Sequence, residues 1–302
     1  MKRDRSHLLT EKVNPRTADL DTLEPGEILE RIHAEDLRAF DAVGEVLDEI
    51  GRAAALIEEA FRSGGRLIYA GAGTSGRLGV LDAAECPPTF GSDPGMVVGV
   101  VAGGTEALVR SREGAEDRAD DGAAAMADLG VGPSDVVLGI AAGSTTPYAV
   151  GALGEARRRG ARTVLLACVP REDVEIAAEV DLAILPLTGP EVITGSTRMK
   201  AGTATKLVLN MLSTTAMVRI GKTYGNLMVD LRIGSEKLAD RGRRIVRDLL
   251  QLPEAEAERL LESAGGSVKT ALVMGRRKVG RAEAERLLDA AGGFLRRAWG
   301  EG

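Results

Sequence analysis

Disulfides, metal clusters and base-stacking surfaces all need residues that this chain holds in very small number. Cys86 and Cys168 are its only cysteines, too few for a disulfide framework, so a reducing cytoplasm is the expected compartment. Each reads as a small buried apolar residue rather than a nucleophile. The two histidines, His7 and His33, stand apart near the N-terminus, which excludes a structural zinc of ordinary spacing and a histidine-based triad. One Trp, three Tyr and four Phe make aromatic platforms for nucleic-acid bases improbable on composition. A net charge of −6 argues against sequence-independent binding to nucleic acid or to an anionic membrane. No window approaches the roughly 18 consecutive apolar residues of a membrane helix. The charged start Met1–His7 leads into no apolar core, so it does not read as a signal peptide.

Glycine, by contrast, is plentiful: 38 of 302 residues, against an average near 7%. Tight strand-to-helix turns use glycine in this way. Residues 1–24 are polar, with Asn14-Pro15, and read as an extended arm before Pro25. From Glu27 to Arg62 apolar residues recur at helical spacing (Ile28, Leu29, Ile32; Val43, Val46, Leu47, Ile50; Ile57, Phe61), predicting two or three helices. Strands are predicted at 66–71, 96–102, 135–141, 162–167 and 182–186, alternating with helices at 74–84, 105–128, 147–158 and 198–220. Continuous runs such as Val136-Val-Leu-Gly-Ile140 suit strands buried on both faces. The alternation predicts an α/β fold with a doubly wound parallel sheet, whose ligands sit beyond the carboxyl ends of the strands. After Asp230, charged helical segments at 235–250, 254–263, 267–274 and 281–298 predict a small helical bundle. Three segments result: an arm with helices over 1–62, the sheet domain over 63–222, and a helical region over 223–302.

The run Leu67–Gly79 is a strand emptying into Gly71, Gly73, Thr74, Ser75 and Gly76 before a helical pattern resumes at Leu78. A helix N-terminus offers free N–H groups and a positive dipole end, so this turn suits a phosphate, with Gly73, Thr74 and Ser75 in contact. The spacing is neither G-x-G-x-x-G nor a P-loop, because no lysine stands where a P-loop needs one. That favours a small phosphorylated ligand over a nucleoside triphosphate. Two further hydroxyl-bearing turns, Ser144-Thr145-Thr146 and Thr194-Gly-Ser196-Thr197, fall at corresponding strand ends. Singly, each reads as well as a helix cap. Together they offer what three phosphoryl oxygens require. Arg198 and Lys200 add cations that can neutralise a substrate anion.

Carboxylates lie close by in sequence. Glu85 follows the glycine turn by one to two helical turns, with Pro87 and Pro88 expected to stop that helix. Glu113, Glu116 and Asp117 read either as a solvated helix face or as a second acidic group. A carboxylate beside an anion site is electrostatically awkward, and proton transfer is the reason that would keep it there.

These stretches also form a pattern. Gly71-Ala-Gly-Thr-Ser-Gly-Arg-Leu-Gly79, Asp82-Ala-Ala-Glu-Cys-Pro-Pro88, Glu113-Gly-Ala-Glu-Asp117, Gly195-Ser-Thr-Arg-Met-Lys-Ala-Gly-Thr-Ala204, Lys206-Leu-Val-Leu-Asn-Met-Leu-Ser213 and Gly225-Asn-Leu-Met-Val-Asp230 resemble the N-acetylmuramic acid 6-phosphate etherases. Thr10-Glu-Lys-Val-Asn-Pro-Arg-Thr17 and Gly292-Gly-Phe-Leu-Arg296 extend the resemblance over nearly the whole chain. It implies a sugar-isomerase (SIS) domain, a homodimer, no metal or organic cofactor, and cleavage of a D-lactyl ether to N-acetylglucosamine 6-phosphate and D-lactate. Glu85 matches the family's proton donor and Glu116 its second carboxylate. One turn departs: family members usually read Ser-Gly-Arg-Thr-Pro-Tyr where this chain has Gly143-Ser-Thr-Thr-Pro-Tyr148, so an arginine is lost and Ser144 stands at a shifted position.

Two rival readings share the sheet. An aldose–ketose isomerase would open the ring and deprotonate C2 but expel no lactate. A phosphosugar-binding regulator would need no acid–base pair; such regulators of glucokinase carry two SIS domains, whereas this chain has one. Residues 27–62 are acidic overall, which disfavours a DNA-contacting helix-turn-helix.

Overall fold

The computed structural model describes residues 8–174 and 179–301. His7 and the first part of the arm lie outside the described residues. Two compact units result, one comprising Met1–Ala83 and Val97–Ser213, the other Ala84–Met96 and Thr214–Gly302. The N-terminal helices therefore belong with the sheet rather than forming a segment of their own, and 84–96 goes with the C-terminal helices. Among the described residues no helix is long and apolar enough to cross a membrane.

In the first unit, α1 (Pro25–Gly44) starts where a fixed proline φ and a reciprocal Glu24–Glu27 capping box satisfy the first amides. α2 (Leu47–Arg62) buries Ile50, Ala53, Ala54, Ile57, Ala60 and Phe61, a stripe at helical spacing. Five parallel strands follow: β1 (Leu67–Gly71), β2 (Val97–Val101), β3 (Val136–Ile140), β4 (Arg162–Leu166) and β5 (Leu182–Ile184). Their order is β2-β1-β3-β4-β5. The winding direction reverses between β1 and β3, the crevice where open α/β sheets bind ligands. β1 and β3 are buried along their whole length, as their unbroken apolar runs require.

Between the strands run α3 (Gly73–Phe90), α4 (Ala119–Asp128) and α5 (Pro147–Arg158), and α6 (Lys200–Arg219) follows β5. α3 lies unusually close to the sheet because glycines meet there. A Cβ on Gly99 would stand 2.5 Å from Val80 Cα, and one on Gly79 would stand 2.7 Å from Tyr69 Cβ. On the other face α4 and α5 cover Ile68, Val137 and Leu165 with Met126, Ala152 and Leu153.

Two local expectations fail. Pro87 and Pro88 do not stop α3, which continues to Phe90. The ring fixes a helical φ, so only two amide donors are lost, and the Gly91 amide still reaches Pro87 O at 2.9 Å. The predicted helix at 105–128 is broken: single 3₁₀ turns at Thr105–Leu108 and Ala115–Asp117 precede α4. Gly103, Gly104 and Gly114 adopt φ of 86°, 74° and 77°, left-handed values that interrupt a helix. Glu113 therefore sits in a turn and Glu116 in a single 3₁₀ turn, neither on the face of an α-helix.

The second unit packs α7 (Glu236–Leu250), α8 (Glu254–Ser263), α9 (Val268–Arg277), α10 (Arg281–Ala290) and α11 (Leu295–Trp299). Their core gathers Val246, Leu261, Leu272, Leu288 and Trp299. Lys269 is buried there, donating to Asp230 Oδ2 at 2.7 Å and to Gly221 O at 3.0 Å.

Candidate functional site

The glycine turn after β1 is itself the first turn of α3. Gly73 takes φ 53°, so the chain swings directly from Gly71 into the helix, and the 73–75 amides have no intrahelical acceptor. Gly76 has no room for a side chain: a Cβ would meet Gly71 O at 2.6 Å and Val101 Cγ2 at 2.7 Å. A cavity of about 180 Å³ opens against this turn. Its lining includes Ala72, Gly73, Arg77, Ser111, Arg112 and Glu116. The structure thus brings Glu116, and with it Glu113, from a segment some forty residues on to the N-terminus of α3.

Two arginines accompany it. Arg77 Nε donates to Ala107 O at 3.0 Å, and Arg112 Nη1 donates to Gly103 O at 3.1 Å. These bonds fix the loop that carries Glu116 and leave further N–H groups of each fork for an anion. From sequence, Arg77 is quoted within the glycine motif without a role and Arg112 is not named. For Arg77 the signal is local, since a guanidinium one turn into a helix whose start suits a phosphate is a natural anion contact.

The other hydroxyl turns are partly committed elsewhere. Ser144 is buried in a left-handed conformation, φ 61°, and its hydroxyl donates to Asp173 O at 3.0 Å. Its donor is thus committed to the backbone of Asp173. Thr146 precedes α5 without making a capping bond, and it and Thr145 remain half-buried. The 194–198 turn comes to the α3 turn through Gly202, whose Cβ position lies 3.4 Å from Thr74 Cγ2 and 3.5 Å from Thr197 O. Ser75, Ser196 and Thr197 are half-buried, and Arg198 is exposed.

Lys200 is not a rim cation. It is fully buried, and its ammonium donates to Glu35 Oε2 at 2.6 Å. Glu35 also accepts from Asn14 Nδ2 at 2.8 Å and from Arg16. Burial alone would raise the Glu35 pKa, but the bonds from Arg16, Lys200 and Asn14 outweigh it and hold the carboxyl at about 2. The α6 N-terminus is closed by a second buried acid, Glu191, which accepts the Lys200 and Ala201 amides at 2.9 Å each. Two cations at a helix start oppose the dipole, and Glu191 and Glu35 are what make them tolerable. Neither acid was singled out from sequence; for Glu35 nothing local marks a carboxylate whose partner is 165 residues away.

Glu85 is exposed on α3. Because α3 begins within the glycine turn, Glu85 follows its first residue, Gly73, by twelve residues, about 18 Å along the helix axis. It is not among the residues lining the Glu116 cavity. One turn before it, Asp82 is buried and accepts from Tyr69 Oη at 2.9 Å; burial raises its pKa despite that bond and the nearby Lys206.

Comparison with known proteins places the chain in a family. Residues 49–157 match the family described as glucokinase regulatory protein N-terminal SIS domain. The N-acetylmuramic acid 6-phosphate etherase of Gloeothece citriformis is 52% identical over 271 residues, which cover 90% of this chain and 88% of that protein. That of Synechococcus elongatus is 54% identical over 270 residues, 89% of this chain and 87% of its own. Among solved structures, the phosphoheptose isomerase of Neisseria gonorrhoeae is 18% identical and covers 64% of this chain and 98% of its own, with a TM-score of 0.48. With half its residues identical over nine-tenths of its length, the chain belongs to the N-acetylmuramic acid 6-phosphate etherase family.

Proposed function

We propose that this chain cleaves the D-lactyl ether of N-acetylmuramic acid 6-phosphate, giving N-acetylglucosamine 6-phosphate and D-lactate. The observation that carries the reading is the cavity in which Glu116 and two arginines face the first turn of α3. Phosphate at the amides of residues 73–75, with the Thr74 and Ser75 hydroxyls, holds the sugar by its 6-position. Thr145, Thr146, Ser196, Thr197 and Arg198 remain available along the same rim.

An ether is a poor leaving group, so direct displacement would need strong activation. Ring opening exposes a C1 aldehyde, which acidifies the C2 hydrogen. Glu116 removes that proton, the C3–O bond breaks, and an acid protonates the departing lactate oxygen. Water then adds to the unsaturated intermediate, hydroxyl to C3 and hydrogen to C2, so the net change is hydrolysis. Acid and base each contribute roughly 10²–10⁴-fold.

We assign the acid to Glu85. Its distance along α3 from the phosphate turn leads us to place it in the site of a second copy, within a homodimer. The N-terminal helices support association, because Leu29, Leu37 and Phe40 on α1 and Leu47 at the start of α2 are large apolar side chains left more than half exposed. Two buried cysteines suit a cytoplasmic enzyme.

The test is D-lactate release from the muramyl phosphate, with and without the 6-phosphate. Glu85→Gln should lose turnover yet still exchange the C2 hydrogen with solvent, and Glu116→Gln should lose both. Mixing the two inactive variants should restore activity, because one site of the mixed dimer then holds both glutamates. Wild-type turnover in both variants sinks the assignment, and no recovery on mixing sinks the shared site.

A further inference from the structure

The Thr10–Thr17 stretch is a motif to which the proposed chemistry gives no task. It is nonetheless fastened to the site's scaffold. Asn14 Nδ2 donates to Glu35 Oε2 and, at 3.2 Å, to Pro190 O. Thr17 Oγ1 donates to Val192 O at 2.9 Å, and Arg16 pairs with Glu35. Through Glu35 the arm is linked to Lys200, the first residue of α6. These anchors pin the arm to residues 190–192, immediately before the 194–198 turn.

Upstream of the anchors, the arm lies against two of the three hydroxyl turns at their glycines. A Cβ on Gly143 would stand 3.7 Å from Thr10 Oγ1 and 3.8 Å from Leu8 Cδ1. A Cβ on Gly195 would stand 3.2 Å from Glu11 Oε2. The arm therefore packs against both the turn after β3 and the turn before α6.

Thr10 is 1% exposed, and its hydroxyl has no hydrogen-bond partner among the described residues. Buried hydroxyls in folded proteins are almost always partnered, because an unmade bond leaves the desolvation penalty uncompensated. Valine has the same shape and would carry no such penalty. A hydroxyl at this turn is explained if its partner is an oxygen of the ligand.

We propose that Thr10 is a substrate-contacting residue: its hydroxyl, held at the Gly143 turn by the Asn14–Glu35–Lys200 anchor, bonds an oxygen of the bound sugar phosphate. This rests on the sugar-phosphate reading of the site above. The arm is then a wall of the binding site rather than a trailing segment.

The experiment uses the full chain with Thr10→Val and Thr10→Ser. Binding of N-acetylglucosamine 6-phosphate and of inorganic phosphate is measured by calorimetry, and melting of the unliganded proteins by scanning fluorimetry. Thr10→Val should weaken the sugar phosphate roughly five- to twentyfold, as expected for one lost hydrogen bond to a buried polar group. Its unliganded Tm should be unchanged or higher, and Thr10→Ser should bind within about twofold of wild type. Equal weakening of inorganic phosphate assigns the contact to the phosphoryl group; weakening confined to the sugar phosphate assigns it to a sugar oxygen. Unchanged binding in Thr10→Val, a loss that serine does not restore, or a fall in Tm that accompanies the loss overturns the proposal. Wild-type protein that binds no sugar phosphate and releases no lactate fails the underlying reading instead.

Discussion

Replacing Glu35 by glutamine should be among the most damaging single-atom changes in the sheet unit, and its effect should depend on pH. The Glu35 carboxyl sits at about 2 against an ordinary 4.5. A shift of that size corresponds to about 3 kcal/mol of stability. The carboxyl is depressed, so this stability is complete above pH 4.5 and is lost as pH falls from there toward 2. Glutamine removes it at every pH and also leaves the fully buried Lys200 ammonium without its anion. Breaking a buried pair from one side typically costs about 3–5 kcal/mol. Hydrogen exchange of α1 and α6 amides is the suitable assay, because the only tryptophan, Trp299, lies in the other unit and reports on that unit. The variant should open α1 and α6 more readily by about 3–5 kcal/mol at pH 7, and wild type and variant should converge toward pH 2. Joining Glu35→Leu to Lys200→Met should recover most of the loss, since an apolar pair replaces the ionic one without a stranded charge. A loss under about 1 kcal/mol at pH 7, or the same acid dependence in variant and wild type, would refute the claim that this ion pair anchors α1 to α6.

Other substitutions probe the packing and the site. Gly99→Ala forces a methyl to within 2.5 Å of Val80 Cα and should destabilise the sheet unit by about 1–3 kcal/mol in denaturant titrations followed by circular dichroism. Cys168 is buried and its thiol is pushed up to about 12, by burial first and by Glu191 second, so a disulfide reagent at pH 8 should label it only after denaturation. Arg77→Met and Arg112→Met should each lower kcat/KM for the phosphorylated substrate at least about tenfold, with lysine failing to restore it because the fork geometry is lost. Equal turnover in these variants, measured as lactate release, would remove the arginines from the site.

The parallel sheet was legible because its strands announce themselves. Val136–Ile140 can hardly be anything but a doubly buried strand, and the observed β3 covers those residues. The glycine turn at 71–76 was equally plain, as strand, tight turn and helix follow within a dozen residues. The path between β2 and α4 was not legible. The Ala- and acid-rich run at 105–128 has helical composition, yet with left-handed glycines just before it at 103 and 104 and within it at 114, its first half forms only two 3₁₀ turns and the segment joining them. That path is what lets Glu116 reach the α3 turn. Pro87 and Pro88 misled in the opposite direction, because a proline pair loses donors without losing helical φ.

Period and local chemistry determined which segments would be strands and helices, where the phosphate turn would fall, and which family the chain resembles. Those features depend on neighbours within about ten residues, and sequence displays such neighbours directly. Tertiary structure decided which charged groups face a ligand and which hold the fold. Lys200 reads as an anion contact beside Arg198, yet it is buried on Glu35; Ser144 reads as a rim hydroxyl, yet it donates to Asp173 O. A side chain's task is set by what stands within a few ångströms of its tip, and for these residues that neighbour comes from 29 to 165 positions away along the chain.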